Sequence, residues 1–116
     1  MKDFLKVDTE QKNLQIVDNV IIDENLGEVV IGANTRICHG AVIQGPVVIG
    51  ANCLIGNYAF IRPSTVISNS VKVGFATEIK NSVIESEVTI GPRIIVERNL
   101  ASGKYSLRQE LIRTGD

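Results

Sequence analysis

An aliphatic residue returns at every sixth position through the middle of this 116-residue chain. The nine positions are Ile31, Ile37, Ile43, Ile49, Ile55, Ile61, Ile67, Val73 and Ile79. An amphipathic helix needs spacings of three and four, and a half-buried strand needs alternation, so neither accounts for a period of six. A short unit repeated this regularly is typical of a solenoid, in which each unit packs against its neighbours.

A second period shows how the units close into a coil. The segment Val29–Asn34 recurs letter for letter as Val47–Asn52, eighteen residues later, so three hexads make one turn of a triangular solenoid. We name the three sides by their core residues. They are side A (Ile31, Ile49, Ile67), side B (Ile37, Ile55, Val73) and side C (Ile43, Ile61, Ile79). Because side chains alternate along a strand, the residue two positions before each core residue should also point inward.

The residues after each core position predict the corners of the triangle. Glycine follows the core residue directly at Gly32, Gly50, Gly56 and Gly74, and asparagine stands two positions further on at Asn34 and Asn52. Glycine and asparagine both tolerate positive φ. We therefore expect the chain to bend at these positions with left-handed backbone conformations.

The pattern also predicts the limits of the solenoid. The pattern begins at Ile16 and Ile22. Three extra residues then interrupt it over 23–27, and after Ile79 the spacing to the next core residue, Ile84, is five instead of six. We expect an N-terminal arm over 1–13, an all-β parallel β-helix of four to five coils over 14–97, and a C-terminal loop with a short capping helix over 98–116. The helix would begin near Leu107, since Ser106 and Gln109 match a capping box.

Composition excludes several classes of function. The formal net charge is −1 and the isoelectric point about 5.8, which argues against nucleic-acid binding. No apolar run predicts a membrane span and no N-terminal stretch reads as a signal peptide, so we expect a cytoplasmic protein without membrane contact. One histidine and two separated cysteines predict no metal site. Cys38 and Cys53 should be free thiols, because the register places them beyond disulfide reach.

The residues that precede the core positions should face outward, and on side A they are all valine. The predicted stripe is Val30, Val48, Val66 and Val83, and side C adds Phe60. A contiguous apolar stripe usually marks an interface. We expect sides A and C to form a homotrimer, the alternative being that a terminal segment of the same chain covers them.

A cationic pair follows the core of side C. Arg62 and Lys80 are eighteen residues apart, hence on adjacent coils about 5 Å apart, where a phosphate would satisfy both. Asn81 and Ser64 flank them and could bind sugar hydroxyls. The alternative is a solvated ladder in which Glu78 and Glu97 neutralise the two cations. His39, the only histidine, should lie at the corner between sides B and C, where an exposed turn histidine is commoner than a catalytic base.

The hexad pattern resembles the hexapeptide-repeat family, whose members form left-handed parallel β-helices and usually trimerise. Segments 45–50, 61–63 and 78–84 are similar to the C-terminal domain of bifunctional sugar-1-phosphate nucleotidylyltransferases that also acetylate glucosamine-1-phosphate. The resemblance implies that Arg62 and Lys80 bind the sugar phosphate. Counted without gaps, it places Pro92 and Ile95 where that family has its catalytic histidine and a sugar-binding tyrosine. Among these 116 residues we expect no counterpart of the family's nucleotidylyl domain or of its later coils, which help to bind acetyl-CoA.

Three functions follow from these observations. The first is a stand-alone β-helix that binds a sugar-1-phosphate or nucleotide sugar at a subunit boundary and requires no cofactor. The second is a non-catalytic oligomerisation or regulatory subunit for a separate nucleotidylyltransferase chain. The third is an acyltransferase that uses acetyl-CoA, with His39 as general base, as the resemblance to hexapeptide acyltransferases implies.

Overall fold

The computed structural model describes residues 13–98, 100–101 and 106–107, and every element in these ranges is a strand. Side B is a sheet of six parallel strands, β1 (Gln15–Ile16), β4 (Arg36–Ile37), β7 (Leu54–Ile55), β10 (Lys72–Val73), β13 (Thr89–Ile90) and β16 (Ser106–Leu107). Side C has five, β2 (Ile21–Asp23), β5 (Val42–Gln44), β8 (Phe60–Ile61), β11 (Glu78–Lys80) and β14 (Ile95–Glu97). Side A has β3 (Val29–Ile31), β6 (Val47–Ile49), β9 (Thr65–Ile67), β12 (Val83–Ile84) and β15 (Leu100–Ala101).

The chain therefore winds through the three sheets in turn, and consecutive coils pair in parallel. The predicted register is confirmed, since Ile31 pairs with Ile49 and Ile49 with Ile67. The result is a parallel β-solenoid of about five turns that fits a left-handed β-helix. The fold class predicted from the hexads is confirmed.

The core consists of the two inward positions of each hexad. The period-six residues are at most 2% exposed, and so is every preceding inward residue except Cys53, which is 3% exposed. The inward positions in front of the core residues are Val29, Thr35, Ala41, Val47, Cys53, Ala59, Thr65, Val71 and Thr77. Small and β-branched side chains fill the narrow triangle because they pack well on a pleated surface with little loss of rotamer freedom.

The two irregularities in the period, the extra residues over 23–27 and the shorter spacing after Ile79, both lie at corners of the triangle. Within the slip over 23–27, the Asn25 amide donates to Asp23 and the Val29 amide donates to Glu24, both at 2.9 Å. After β11 the corner is one residue shorter, so that Ile84 still pairs with Ile67. Both changes leave the core alignment of neighbouring coils intact.

The corners differ from the prediction in the role of glycine. Asn34 and Asn52 have positive φ, as predicted, but Gly40 is the only described glycine that does. At Gly32 a Cβ atom would lie 2.6 Å from the Ala51 backbone nitrogen of the next coil. The expectation of positive φ at Gly32, Gly50, Gly56 and Gly74 was wrong. These glycines follow the core residues because neighbouring coils approach too closely there for a side chain.

The terminal predictions fall mostly outside the described residues. This holds for residues 1–12 of the N-terminal arm predicted over 1–13 and for the capping helix beyond Leu107, while Ser106–Leu107 extends side B as a strand. In the described ranges there is no helix long and apolar enough to cross a membrane. Cys38 and Cys53 are free thiols, as predicted. Burial raises the pKa of the Cys53 thiol, which donates to the Ser68 carbonyl at 3.0 Å.

Candidate functional site

The first candidate cluster lies at the corner between sides C and A, which we call the C–A corner. Arg62 follows β8 and Lys80 ends β11, and the Arg62 amide donates to the Ile79 carbonyl at 2.7 Å. The two cations therefore stand on adjacent coils, as predicted. Their side chains are 35% and 33% exposed, which leaves both within reach of a ligand.

Both cations already have a carboxylate partner. Arg62 Nη1 lies 3.1 Å from Glu78 Oε2, and Lys80 Nζ lies 3.8 Å from Glu97 Oε2. Arg62 also lies over the Phe60 ring at 5.1 Å, and its Nε is buried without a hydrogen-bond partner. This arrangement is the ladder of alternating charges that the sequence allowed as the alternative to a phosphate site. A phosphate at this corner would have to compete with Glu78 and Glu97.

Ser64 and Asn81 stand at the same corner with exposed side chains. Both have positive φ, 67° and 53°, so their backbones form the bend itself. Their amides are used in the corner, since Ser64 donates to Pro46 at 2.8 Å and Asn81 donates to Pro63 at 3.1 Å. Among their hydrogen-bond donors, only the side-chain groups remain for a ligand.

The second candidate cluster lies at the corner between sides B and C, which we call the B–C corner. His39 Nδ1 lies 2.9 Å from Asp18 Oδ1. A carboxylate can only accept a hydrogen bond, so the proton must sit on Nδ1, and Nε2 of the neutral ring is then an acceptor. The hydrogen bond from His39, and next its charge, hold the pKa of the Asp18 carboxyl below its ordinary value of 3.8.

Tyr58 completes this cluster from the next coil. Its ring meets the His39 ring edge to face, with centroids 5.3 Å apart. The ring covers Gly40, where an added Cβ atom would lie 2.4 Å from Tyr58 Cε1. Gly40 also has a φ of 75°, so both backbone conformation and contact require glycine here. His39 is thus held from one side by Asp18 and from the other by Tyr58.

His39 was predicted from the sequence, whereas its partner Asp18 was not. The signal was present, because Gln15 pairs with Arg36 and Ile16 with Ile37, both at an offset of 21 residues. The same offset of 21 residues places Asp18 beside His39 in the neighbouring coil. The slip over 23–27 lengthens this first turn, so a search at the regular offset of 18 does not find the pair.

Side C separates the two clusters within one chain. His39 precedes β5 of side C, and Arg62 follows β8 of the same side. Pro92 occupies the B–C corner, like His39 but three coils later. One chain therefore does not bring the predicted base and the predicted phosphate ligands together.

The predicted interface residues lie on the outer surface of sides A and C. Val48, Val66 and Val83 are 43%, 39% and 42% exposed, and Val30 and Phe60 are half-buried. A groove of about 400 Å³ lies along side A, lined by Glu28, Val30, Pro46, Val47, Val48, Ser64, Thr65 and Val66. Its lining is largely apolar, which suits a contact with another apolar surface.

The Asp18–His39 pair makes the stability of this corner depend on pH. Because the folded pKa of Asp18 is lowered, the pair stabilises the fold above pH 3.8 and ceases to do so as the pH falls through the lower, folded pKa. An NMR titration of the Asp18 carboxyl should give a midpoint below 3.8, and His39→Gln should return it toward the ordinary value. A midpoint unchanged by His39→Gln would contradict the pairing.

No group of three or more His, Cys, Asp or Glu side chains that could hold a metal ion occurs among the residues that the structure describes. The B–C corner offers an oriented imidazole, and the C–A corner offers two half-exposed cations.

Comparisons with known proteins identify the family of this solenoid. A family model described as the GMPPB C-terminal domain matches residues 25–112. The match covers most of the chain, so the protein belongs to this family of hexapeptide-repeat β-helix domains. It is an acetyltransferase-like domain related to the C-terminal domains of sugar nucleotidylyltransferases.

Two bacterial relatives are similar in sequence over the whole chain. The uncharacterized acetyltransferase YaiX of Escherichia coli O6:K15:H31 (strain 536 / UPEC) is 48% identical over 193 residues, covering 100% of this chain and 84% of the relative. The putative uncharacterized acetyltransferase YaiX of Escherichia coli K12 matches with the same identity and coverage.

Solved structures share the fold. A hexapeptide transferase family protein from Anaplasma phagocytophilum superposes with a TM-score of 0.74 at 18% identity, over 83% of this chain and 60% of that chain. A putative acetyltransferase from Bacillus cereus superposes with a TM-score of 0.52 at 19% identity, over 82% of this chain and 65% of that chain. The chain thus spans less than two thirds of either structure.

Proposed function

We propose that this domain transfers an acetyl group from acetyl-CoA to an amine or hydroxyl of a phosphorylated sugar, with His39 as the general base. The observation that carries the proposal is the Asp18–His39 hydrogen bond of 2.9 Å on a half-exposed corner. It leaves Nε2 directed away from Asp18 and able to accept a proton. The similarity to the YaiX acetyltransferases supports the same chemistry.

The reaction needs one base and no redox partner. As the acceptor nitrogen or oxygen attacks the thioester carbonyl, its proton passes to His39 Nε2, and Asp18 stabilises the imidazolium that forms. The C–S bond of acetyl-CoA then breaks, and the proton from His39 is available to the departing thiolate. The new bond is the amide or ester of the acetylated sugar.

The position of His39 also fits the resemblance drawn from the sequence. That resemblance places a catalytic histidine at Pro92, which stands at the B–C corner. Proline cannot accept a proton, whereas His39 can, and it lies at the same corner three coils earlier. We infer that this chain has its base at His39 instead of at Pro92.

A second candidate is a non-catalytic module that binds a sugar phosphate or nucleotide sugar at Arg62 and Lys80, with Ser64 and Asn81 on the sugar hydroxyls. It would serve as a subunit for a separate nucleotidylyltransferase chain. The observation in its favour is the buried Arg62 Nε, which has no hydrogen-bond partner and could donate to a phosphate. The ion pairs with Glu78 and Glu97 weigh against it.

Acetyl transfer should be measured directly. Purified protein, acetyl-CoA and a panel of amino-sugar phosphates and nucleotide-linked amino sugars would be followed by release of the CoA thiol, with the product identified by mass spectrometry. We expect acceptor-dependent thiol release and a product heavier by one acetyl group. No release with any acceptor, together with capture of a nucleotidylyltransferase from the producing cells, would favour the non-catalytic module.

The valine stripe should hold the domain as a homotrimer through sides A and C. We expect Val48→Lys to shift the mass measured by light scattering from trimer to monomer, because it places a charge inside an apolar contact. Leu54→Lys is the matched control, since Leu54 is similarly exposed, at 38%, but lies on side B. A monomeric mass for the unsubstituted protein, or dissociation by the control alone, would contradict this interface.

A further inference from the structure

The B–C corner continues past His39 as a regular ladder. At each coil an amide donates to the carbonyl of the coil before it. Tyr58 donates to His39 at 2.9 Å, Ala76 to Asn57 at 2.8 Å, and Arg93 to Phe75 at 2.9 Å. The corner residues therefore stand in line along the solenoid axis, one coil apart, at the strand spacing of about 4.8 Å.

The side chains on this ladder are unusual for the protein. Tyr58 and Phe75 are two of the three Tyr and Phe residues among those described with their side chains, and they are 61% and 47% exposed. The rings have no core to fill, because Ile55 and Val73 already occupy the interior of their coils. Exposed aromatic rings in line with a histidine form a surface on which the apolar face of a sugar ring can lie.

The ladder ends in a cation. The Arg93 guanidinium carbon lies over the Phe75 ring at 5.6 Å, which holds the group toward the preceding coil. Among the residues described by the structure, Arg93 has no carboxylate partner, in contrast to Arg62 and Lys80. The stacked guanidinium keeps its N–H groups available, and such a fork suits a phosphate.

The charged and titratable groups along this corner are few. Asp18 and His39 pair at one end, with the Cys38 thiol beside His39, and Arg93 stands at the other end. Arg36 and Lys72 lie on the adjoining strands of side B in the coils of His39 and Phe75, and Arg36 is bonded to Gln15. Glu78, on the adjoining strand of side C, is paired with Arg62. The anionic end of a ligand is therefore favoured at Arg93 and the neutral, reacting end at His39.

We propose that the B–C corner is the acceptor site, in which Arg93 binds the phosphate of a sugar phosphate ester, Tyr58 supports the sugar ring, and Phe75 holds the guanidinium in place. This inference rests on the proposed acetyl transfer for the role of His39. Phe75 and Arg93 stand two and three coils from His39, about 10 to 14 Å along the axis. Because the Arg93 guanidinium stacks over Phe75, it lies about one coil nearer to His39, and a hexose with a phosphate or diphosphate on its anomeric carbon can bridge the remaining span.

Two kinds of acceptor share this chemistry, a sugar monophosphate and a nucleotide-linked sugar. Calorimetry with glucosamine-1-phosphate and with UDP-glucosamine distinguishes them, and glucosamine without a phosphate is the ligand control. We expect one or both phosphorylated ligands to bind at millimolar concentration or below. Arg93→Gln should weaken that binding roughly tenfold or more, because charged hydrogen bonds to the phosphate are lost. Binding of unphosphorylated glucosamine should not change.

Matched variants separate this site from its competitor. Arg62→Gln removes the alternative phosphate ligand, and Arg36→Gln removes an exposed cation on side B that is bonded to Gln15. Neither should weaken binding. Arg93→Lys keeps the positive charge but not the forked geometry of the guanidinium. Its affinity for the phosphorylated ligands should lie between those of the wild type and Arg93→Gln, and such a graded loss would distinguish a lost contact from a folding defect. Wild-type affinity in Arg93→Gln, or loss of affinity in Arg62→Gln alone, would overturn the assignment.

The same variants distinguish failure of this inference from failure of the proposed reaction. If ligands bind through Arg93 but no acetyl transfer occurs, the acceptor site is supported and the proposed reaction is contradicted. If turnover depends on His39 while Arg93→Gln leaves the KM for the acceptor unchanged, the proposed reaction is supported and the acceptor site is contradicted. If Arg93→Gln weakens CoA instead of the sugar phosphates, the cation serves the donor and the acceptor assignment is wrong.

Discussion

Replacing His39 with glutamine should lower kcat for acetyl transfer by roughly 10²- to 10⁴-fold, the usual contribution of general acid–base catalysis. Glutamine retains a polar group of similar length but cannot take the proton of the attacking acceptor. The fold should remain, because His39 is half-buried at a corner and lies outside the core. The measurement is the pre-steady-state and steady-state rate of CoA release, with thermal unfolding recorded for each variant.

Two further variants sharpen this result. Asp18→Asn should also lower kcat, because an amide that donates to Nδ1 would favour the tautomer whose proton sits on Nε2. Cys38→Ser is the matched control, since Cys38 is adjacent to His39 in the corner and has no assigned role. Full activity in His39→Gln would remove the proposed base. Equal losses in all three variants would indicate a damaged corner.

Ile61→Ala should lower the free energy of unfolding by about 2 to 5 kcal/mol, the range for truncating a fully buried isoleucine. Ile61 is 0% exposed and pairs with Ile43 on one coil and Ile79 on the next. The cavity would open in the middle of the stack, where the coils on both sides are held by their own hydrogen bonds and cannot collapse into it. Urea denaturation followed by circular dichroism measures the change.

Leu54→Ala provides the comparison for this core substitution. Leu54 directly precedes the core residue Ile55 but points outward and is 38% exposed. Its truncation should cost well under half as much as Ile61→Ala, because little apolar surface returns to water. Equal costs at the two positions would mean that the inward and outward assignments of the hexad are wrong.

Much of the fold could be predicted because the solenoid is built from local rules applied repeatedly. Each coil pairs with its neighbours in register, so the offset between Ile31 and Ile49 already specifies a contact. The prediction failed at Gly32, where the backbone conformation is ordinary and the requirement for glycine comes from the Ala51 backbone one coil away. A sequence pattern shows which residue bends easily, but a close approach between coils appears only when both coils are in place.

The candidate site was less predictable for two physical reasons. The first is that spacing fixes where backbones stand but leaves the directions of long side chains open. Arg62 and Lys80 are on adjacent coils as expected, yet they turn to Glu78 and Glu97. The second is that one irregular turn changes the offset. Asp18 faces His39 only because the first turn is lengthened by the slip over 23–27.

The repeated period alone specifies the triangular coil, its core, the outward valines and the two corners that carry chemistry. Which charges are already paired, and which side chains meet, can be seen only in the folded chain. The tertiary structure joined Asp18, His39 and Tyr58 into one cluster and placed Arg93 over Phe75 along the same corner. Such contacts depend on side-chain rotamers, which the spacing of residues along the chain does not encode.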